Sequence, residues 1–226
     1  NEKELEELIK NLDEKTVISV DTETSSLNPQ EAELIGISIS YDANESFYIP
    51  VGHKKTKNLK KDFVLSKLKS ILEDPSIKKV CQNTKYDYII FKNHGVELNP
   101  VEDTMLLSYT LDAGNNRHNM DTLSEIHLGH KTISYKDLVG TGKKQINFSE
   151  IDIKSATEYA AEDADVTLRL YNILSERVAM EKLDKIYEIF EKPMIKILSK
   201  LETNGIKVDD RYLKKLSKKF EARLIK

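Results

Sequence analysis

Apolar residues first recur at helical spacing: Leu5, Leu8, Ile9 and Leu12 punctuate a charged stretch over residues 1–12, which predicts an amphipathic lead-in helix. The period then shortens. Residues 16–23 (TVISVDTE) open β-branched and turn acidic, while 34–41 (LIGISISY) and 46–51 (SFYIPV) flank the polar turn from Asp42 to Glu45. Three strands in antiparallel succession follow from that pattern. Residues 59–73 place Phe63, Leu65, Leu68, Ile71 and Leu72 on a broad stripe that stops at Asp74 and Pro75, predicting a covering helix. A short strand at 78–82 precedes a helix at 84–93, with Asn83 as its N-cap and Gly95 closing its C-terminus. Strand and helix now alternate, which is α/β behaviour.

The second half reads mainly helical. A helix begins at Asp103 (DTMLLSYTLD), a loop spans 113–119, and a further short helix lies near 121–128. Residues 131–148, with Gly140, Gly142, Lys143 and Lys144, are the most loop-like part of the chain. A long helix from 153 to about 181, a second from Leu183 to Asn204 ended by Gly205, and a charged helical tail complete the pattern.

Composition narrows the class. With 226 residues, 39% hydrophobic and 32% charged, the chain can hold one large domain and part of another. It begins at Asn1 without an initiator Met, which reads as a processed or excised piece. No apolar run is long enough for a bilayer, so a soluble cytosolic protein is expected. A single cysteine, Cys81, excludes an internal disulfide and a cysteine-only zinc cluster. The net charge of −3 argues against gripping nucleic acid by bulk positive charge alone.

Acids stand where core residues belong. Asp21 and Glu23 share one face of the first strand, with α-carbons about 6.6 Å apart; taken alone they read first as a solvated strand end. Asp163 interrupts the stripe Ala156, Ala160, Thr167, Leu170, Leu174 on the long helix, and Tyr159 lies one turn before it. A tyrosine there is ordinarily core, whereas a buried acid needs a partner or a metal. Asp87 shares a face with Ile90, Phe91 and His94, or simply complements its helix dipole. If the four converge, each pair about 5 Å apart repels by about 3 kcal/mol at an effective dielectric near 20. Such hard oxygen ligands suit Mg²⁺ or Mn²⁺, and a dinuclear site could hold an attacking water and a leaving oxygen together.

Three segments, DTETSSL at 21–27, QNTKYD at 82–87 and YAAEDAD at 159–165, resemble the exonuclease motifs of the DEDD superfamily with a tyrosine in the third motif. The blocks between them, and PMIKILSKLETNGIKVD at 193–209, are similar to the 3′ to 5′ proofreading domain of bacterial (family A) DNA polymerase I and its join to the polymerase domain. The resemblance spans residues 16 to 212. It implies a ribonuclease-H-like α/β fold with a mixed central sheet flanked by helices. It further implies an exonuclease domain at 1–182, with 183–226 a connecting helix and the truncated start of the polymerase domain. Carried onto this sequence, Asp21, Glu23 and Asp163 would bind one divalent ion, Mg²⁺ or Mn²⁺. Asp21 would bridge to a second, served by Asp87 through water. Tyr159 would orient the attacking water and Glu23 would meet the terminal 3′ hydroxyl. Leu27 and Tyr135 fall where the family packs terminal bases, with Tyr at 135 where a familiar relative has Phe; Asn83, Tyr86 and Arg117 fall where it contacts the last nucleotides.

The implied activity is hydrolysis of the terminal phosphodiester of single-stranded or frayed DNA, releasing nucleoside 5′-monophosphates. The implied partners are the 3′ end of single-stranded DNA and the polymerase domain of the same parent chain. A cytoplasmic, nucleoid-associated monomer without membrane contact is implied. Lys143 and Lys144 are further candidate backbone contacts, or plain surface. Two alternatives share these residues: an RNA 3′ exonuclease resembling ribonuclease D, against which the 193–209 block speaks, and a catalytically silent DNA-positioning module. Removing the four acids from the count leaves 34 acids (38 − 4) against 35 bases, so the net acidity is smaller than the proposed cluster.

Overall fold

A computed structural model describes residues 1–225, apart from the side chain of Lys143. Helix α1 (Glu2–Asp13) leads into β1 (Val17–Thr24), β2 (Leu34–Asp42) and β3 (Glu45–Pro50). These pair antiparallel in succession, as the alternation and the Asp42–Glu45 turn predict. Helix α2 (Lys61–Glu73), β4 (Lys78–Cys81), α3 (Thr84–Asn93) and β5 (Val101–Asp103) follow. β4 lies parallel to β1 and β5 parallel to β4, giving a five-stranded mixed sheet in the order β3-β2-β1-β4-β5. β1 is paired on both edges and therefore central.

The two faces of the sheet are covered differently. Ile18, Val20, Ile37 and Ile39 pack with Leu5 and Leu12 of α1, Val64 and Leu68 of α2, and Tyr88 and Phe91 of α3 in one core. Alternate residues of β1 and β2, namely Ser19, Asp21, Glu23, Gly36, Ser38 and Ser40, point to the other face, where α7 (Ile153–Met180) crosses β1, β2 and β3. Small residues on both surfaces let this helix lie close. Ala156, Ala160 and Ala164 are fully buried, and Ser19 Oγ donates to the Ala164 carbonyl at 2.6 Å.

Helices α4 (Thr104–Asp112) and α5 (Met120–Leu128) pack on the second half of α7 through Leu107, Leu123, Leu170 and Leu174. The expected loop at 131–148 is more ordered than its glycines suggest. It contains α6 (Tyr135–Val139) and a 3₁₀ turn at Gly142–Lys144, with a second turn at Phe148–Glu150. Val139, Phe148 and Ile151 are buried against Ala156, which supplies the anchoring that the glycine count hides. Lys144 is exposed, and the Lys143 side chain lies outside the described residues.

Three further expectations need correction. Residues 101–103 form the edge strand β5 before α4 begins, and Asp103 is the α4 N-cap. Asn83 does occupy the N-cap position of α3, but in the left-handed conformation (φ 64°, ψ 52°) and without capping through its side chain. The helix expected over 183–204 is divided into α8 (Asp184–Ile186), a π-helical stretch Tyr187–Glu191 and α9 (Lys192–Asn204). The π stretch carries Tyr187 into contact with the edge of β5. Gly205 ends α9 at φ 66°, and α10 (Asp210–Leu224) has no buried residue. No described helix is long and apolar enough to cross a membrane.

Candidate active site

Asp21 and Glu23 leave the central strand on the α7 side, opposite Ser38 and Gly36 of β2. Asp163 comes down from α7, whose alanines remove the bulk that would hold it away. Carboxylate oxygens of Asp21, Glu23 and Asp163 all lie within 4.8 Å of one another. Among the described residues none of these acids, nor Asp87, forms an ion pair with a basic side chain; the Lys and Arg pairs lie elsewhere, as on Asp165 and Glu102. Burial pushes all four carboxyls up, Asp21 to about 6 and Glu23, Asp87 and Asp163 well above the ordinary range. Coulombic repulsion from Asp21 raises the other three further. An all-oxygen, charge-frustrated donor set of this kind fits a hard divalent cation. Ser38, directly across from Asp21, is fully buried with an unpaired hydroxyl.

Asp87 stands apart from the close trio. It sits in the first turn of α3, where its Oδ1 accepts from the Thr22 backbone N–H at 3.1 Å and from the Thr22 hydroxyl at 2.5 Å. Thr22 thus ties the fourth acid to the strand that carries the first two, a role its place between two acids does not advertise. Tyr86, one residue earlier, donates its hydroxyl to the Ser26 carbonyl at 2.5 Å and meets Thr24 Oγ1 at the same distance. Its phenol therefore braces the β1–β2 loop.

These side chains open onto a cavity of about 990 Å³ lined by Asp21, Glu23, Leu27, Asn83, Tyr86, Asp87, Tyr135 and Tyr159, among others. Leu27, in the loop between β1 and β2, is 95% exposed. Asn147 ties that loop to the opposite wall by donating Nδ2 to the Ser25 carbonyl at 2.9 Å. Tyr135 stacks parallel on Phe148, with centroids 6.5 Å apart, and both rings tilt against Tyr159. Burial, then the nearby Asp163 and Glu23, hold the Tyr159 phenol far above its usual pKa, so it stays protonated. Arg117 is not brought to this wall: it lies in the α4–α5 loop, whose neighbouring His118 carbonyl accepts from Gln82 Nε2 at 2.8 Å.

Phe148, Thr22 and Tyr48 belong to the site's surroundings and were not singled out by pattern. Tyr48 covers Gly36, where a Cβ would fall 2.0 Å from the phenol oxygen, and its hydroxyl meets His53 Nε2 at 2.7 Å. Burial and then Glu23 raise its pKa, placing the ring beside the cluster. Aromatic residues in apolar runs look like core; the signal that could have found Tyr48 is the glycine required diagonally across on β2, two residues before its partner Ser38.

Solved structures show the same fold. Brucella melitensis NrnC bound to pGG matches 87% of this chain and 90% of its own at a TM-score of 0.66 and 22% identity. Escherichia coli RNase D, an exoribonuclease involved in structured RNA processing, matches 87% of this chain and 48% of its own at 0.64 and 20% identity. The expected ribonuclease-H-like architecture, a mixed sheet flanked by helices, is thus present. The chain belongs to the 3′–5′ exonuclease family, which matches residues 1–179. It is 42% identical over 221 residues to DNA polymerase I of Rhizobium leguminosarum, covering 89% of this chain and 22% of that protein. DNA polymerase I of Borreliella burgdorferi is 41% identical over 213 residues, covering 93% and 23%. The chain therefore spans less than a quarter of the length of these relatives.

Proposed function

We propose that this domain is the proofreading exonuclease of a family A DNA polymerase, hydrolysing the terminal phosphodiester of single-stranded or frayed DNA and releasing nucleoside 5′-monophosphates. The observation that carries the reading is the trio of half-buried Asp21 and buried Glu23 and Asp163, with carboxylate oxygens within 4.8 Å of one another and no basic partner among the described residues. Asp21, Glu23 and Asp163 would hold one divalent cation, Mg²⁺ or Mn²⁺, with Asp21 and Asp87 serving a second. Such ions, when bound, neutralise the acids, lower the pKa of water and stabilise charge on phosphoryl oxygens.

The chain's own residues then do the following. Tyr159, kept protonated, orients the attacking water as a hydrogen-bonding phenol and not as a phenolate base. Glu23 receives the terminal 3′ hydroxyl. Leu27 and Tyr135 pack against the last bases while Asn83 and Tyr86 contact the nucleotide ends; Arg117, outside the cavity wall, would meet the strand only from the α4–α5 loop. Stacking and phosphate contacts leave base edges unread, so any end that frays can enter. Residues 1–182 would form the exonuclease domain and 183–226 the connecting helix and the start of the polymerase domain. Exposed Ile197, Leu201, Tyr212 and Leu213 support a neighbouring body against the helices there. A cytoplasmic, nucleoid-associated setting goes with that reading.

The test is degradation of 3′-labelled single-stranded DNA and of the matching RNA with Mg²⁺ or Mn²⁺, comparing wild type with Asp21→Ala. DNA cleavage lost in the variant supports the assignment. Equal rates in the two proteins would sink the metal role, and preference for RNA would favour the ribonuclease D-like alternative.

A further inference from the structure

Asn83 lines the cavity in a left-handed conformation that costs any residue with a Cβ, and its own side chain does not cap the helix it begins. What holds it lies outside the cavity. Asp103, 2% exposed at the end of the edge strand β5, accepts four backbone N–H groups through one carboxylate. Its Oδ1 accepts from Asn83 at 3.2 Å, Met105 at 2.9 Å and Leu106 at 3.3 Å, and its Oδ2 accepts from Thr84 at 2.9 Å. One side chain thus satisfies the orphan amides at the starts of both α3 and α4.

The strand that presents Asp103 is itself held. Among the described residues no further strand flanks β5 in the sheet, and the Asp103 N–H on that edge donates instead to the Tyr187 phenol oxygen at 3.0 Å. The same phenol donates to Glu102 Oε2 at 2.9 Å, and Lys192 Nζ donates to Glu102 Oε1 at 2.8 Å. Thr84 Oγ1 adds a bond to the Glu102 carbonyl at 2.8 Å. We infer that Asp103 is a positioning residue of the exonuclease site, holding Asn83 in its left-handed conformation so that the Asn83 side chain faces the terminal nucleotide. Asp87 and Tyr86 have separate ties to Thr22 and Ser26. Loss of Asp103 therefore falls on substrate engagement and spares the acids.

The inference rests on the exonuclease reading for its kinetic test. In the 226-residue chain, Asp103→Asn keeps one acceptor oxygen and loses the partner of Thr84, and Asp103→Ala loses all four bonds. The expected result for Asp103→Asn is a KM for an oligothymidylate raised roughly 10-fold with kcat changed less than about 3-fold. Mn²⁺ affinity read by electron paramagnetic resonance should stay within about 3-fold of wild type, with Asp103→Ala showing the larger KM. Because Asp103 acts through Asn83, adding Asp103→Asn to Asn83→Ala should raise KM no further. A fall in kcat at unchanged KM, a parallel loss of Mn²⁺ binding, or additive KM effects in the double variant each overturns it. If wild type leaves DNA intact, the exonuclease reading fails, and Asp103 is then judged by amide exchange. Exchange at residues 83 and 84 accelerated at least about 10-fold in Asp103→Asn supports the positioning role; unchanged exchange refutes it.

Discussion

Asp21 is half-buried and Glu23 and Asp163 are buried with no basic side chain paired to them among the described residues, whereas Glu102, two strands across the same sheet, is buried between a phenol and an ammonium. The contrast separates two uses of a buried acid. At β5 each oxygen of Glu102 has a donor, and Asp103 collects four amides, so the charge there organises backbone. At β1 the acids answer to one another, and their mutual repulsion is relieved only by something the chain does not supply. Burial alone does not mark a candidate site acid; burial without a basic partner does.

The sharpest way to break this contrast is to remove an acid from the unpartnered group. Asp163→Ala should lower Mg²⁺-dependent DNA cleavage by roughly 10² to 10³ in single-turnover assays, as expected for loss of one preorganised electrostatic group, with the fold retained by circular dichroism. Glu102→Ala should do the reverse, costing about 2–4 kcal/mol in urea denaturation because Tyr187 loses its acceptor and Lys192 keeps only the exposed Glu188. If Glu102→Ala proves as stable as wild type, the paired network contributes nothing and the comparison fails.

Smaller and opposite in sign is the expected effect of Asp21→Asn on the metal-free protein, a gain of about 1–3 kcal/mol. The folded carboxyl, pushed up by burial to about 6, lies above its unfolded value. Its favourable contribution is therefore present below pH 4 and lost as pH rises through 6. Wild type without metal should lose stability over that window relative to Asp21→Asn, and Mg²⁺ should shrink the difference. Asp103, also raised to about 6 by burial, follows the same sign in both proteins and cancels in the comparison. Parallel stability curves with pH would count against unrelieved repulsion at β1. Smallest of all, Tyr135→Phe should change cleavage less than about twofold, because the ring that stacks on Phe148 remains; a tenfold loss would assign the hydroxyl a role that stacking does not explain.

The first half of the fold was legible because its periods are clean: three alternating strands, a striped helix, and a strand–helix step with turn residues between. The acids were legible for the same reason, since each breaks a pattern that says core. What escaped depends on partners far along the chain. Val101–Asp103 is too short to carry a period, and its value lies in pairing with β4 and meeting Tyr187, 84 residues on. Asn83 looked like an ordinary cap, yet its side chain does no capping because a carboxylate 20 residues later has taken the work. The π-helical stretch is invisible in a helical pattern, because one extra residue per turn changes facing without changing composition. Phe148 and Tyr48 were hidden by resembling the core they partly belong to.

The close seating of α7 on the sheet sets a tolerance for the whole centre. Asp163 and the β1 acids are brought within reach by residues that bear no charge, through Ser19 against the Ala164 carbonyl and through Ala160 fully buried beside them. An oxygen ligand holds Mg²⁺ at about 2.1 Å and tolerates little deviation, while one added methyl group is of the order of 1.5 Å in length. Ala160→Val would therefore act as a spacer, and for a divalent ion held by the trio the choice between a strict small ion and a more permissive larger one would be set by side chains that touch neither.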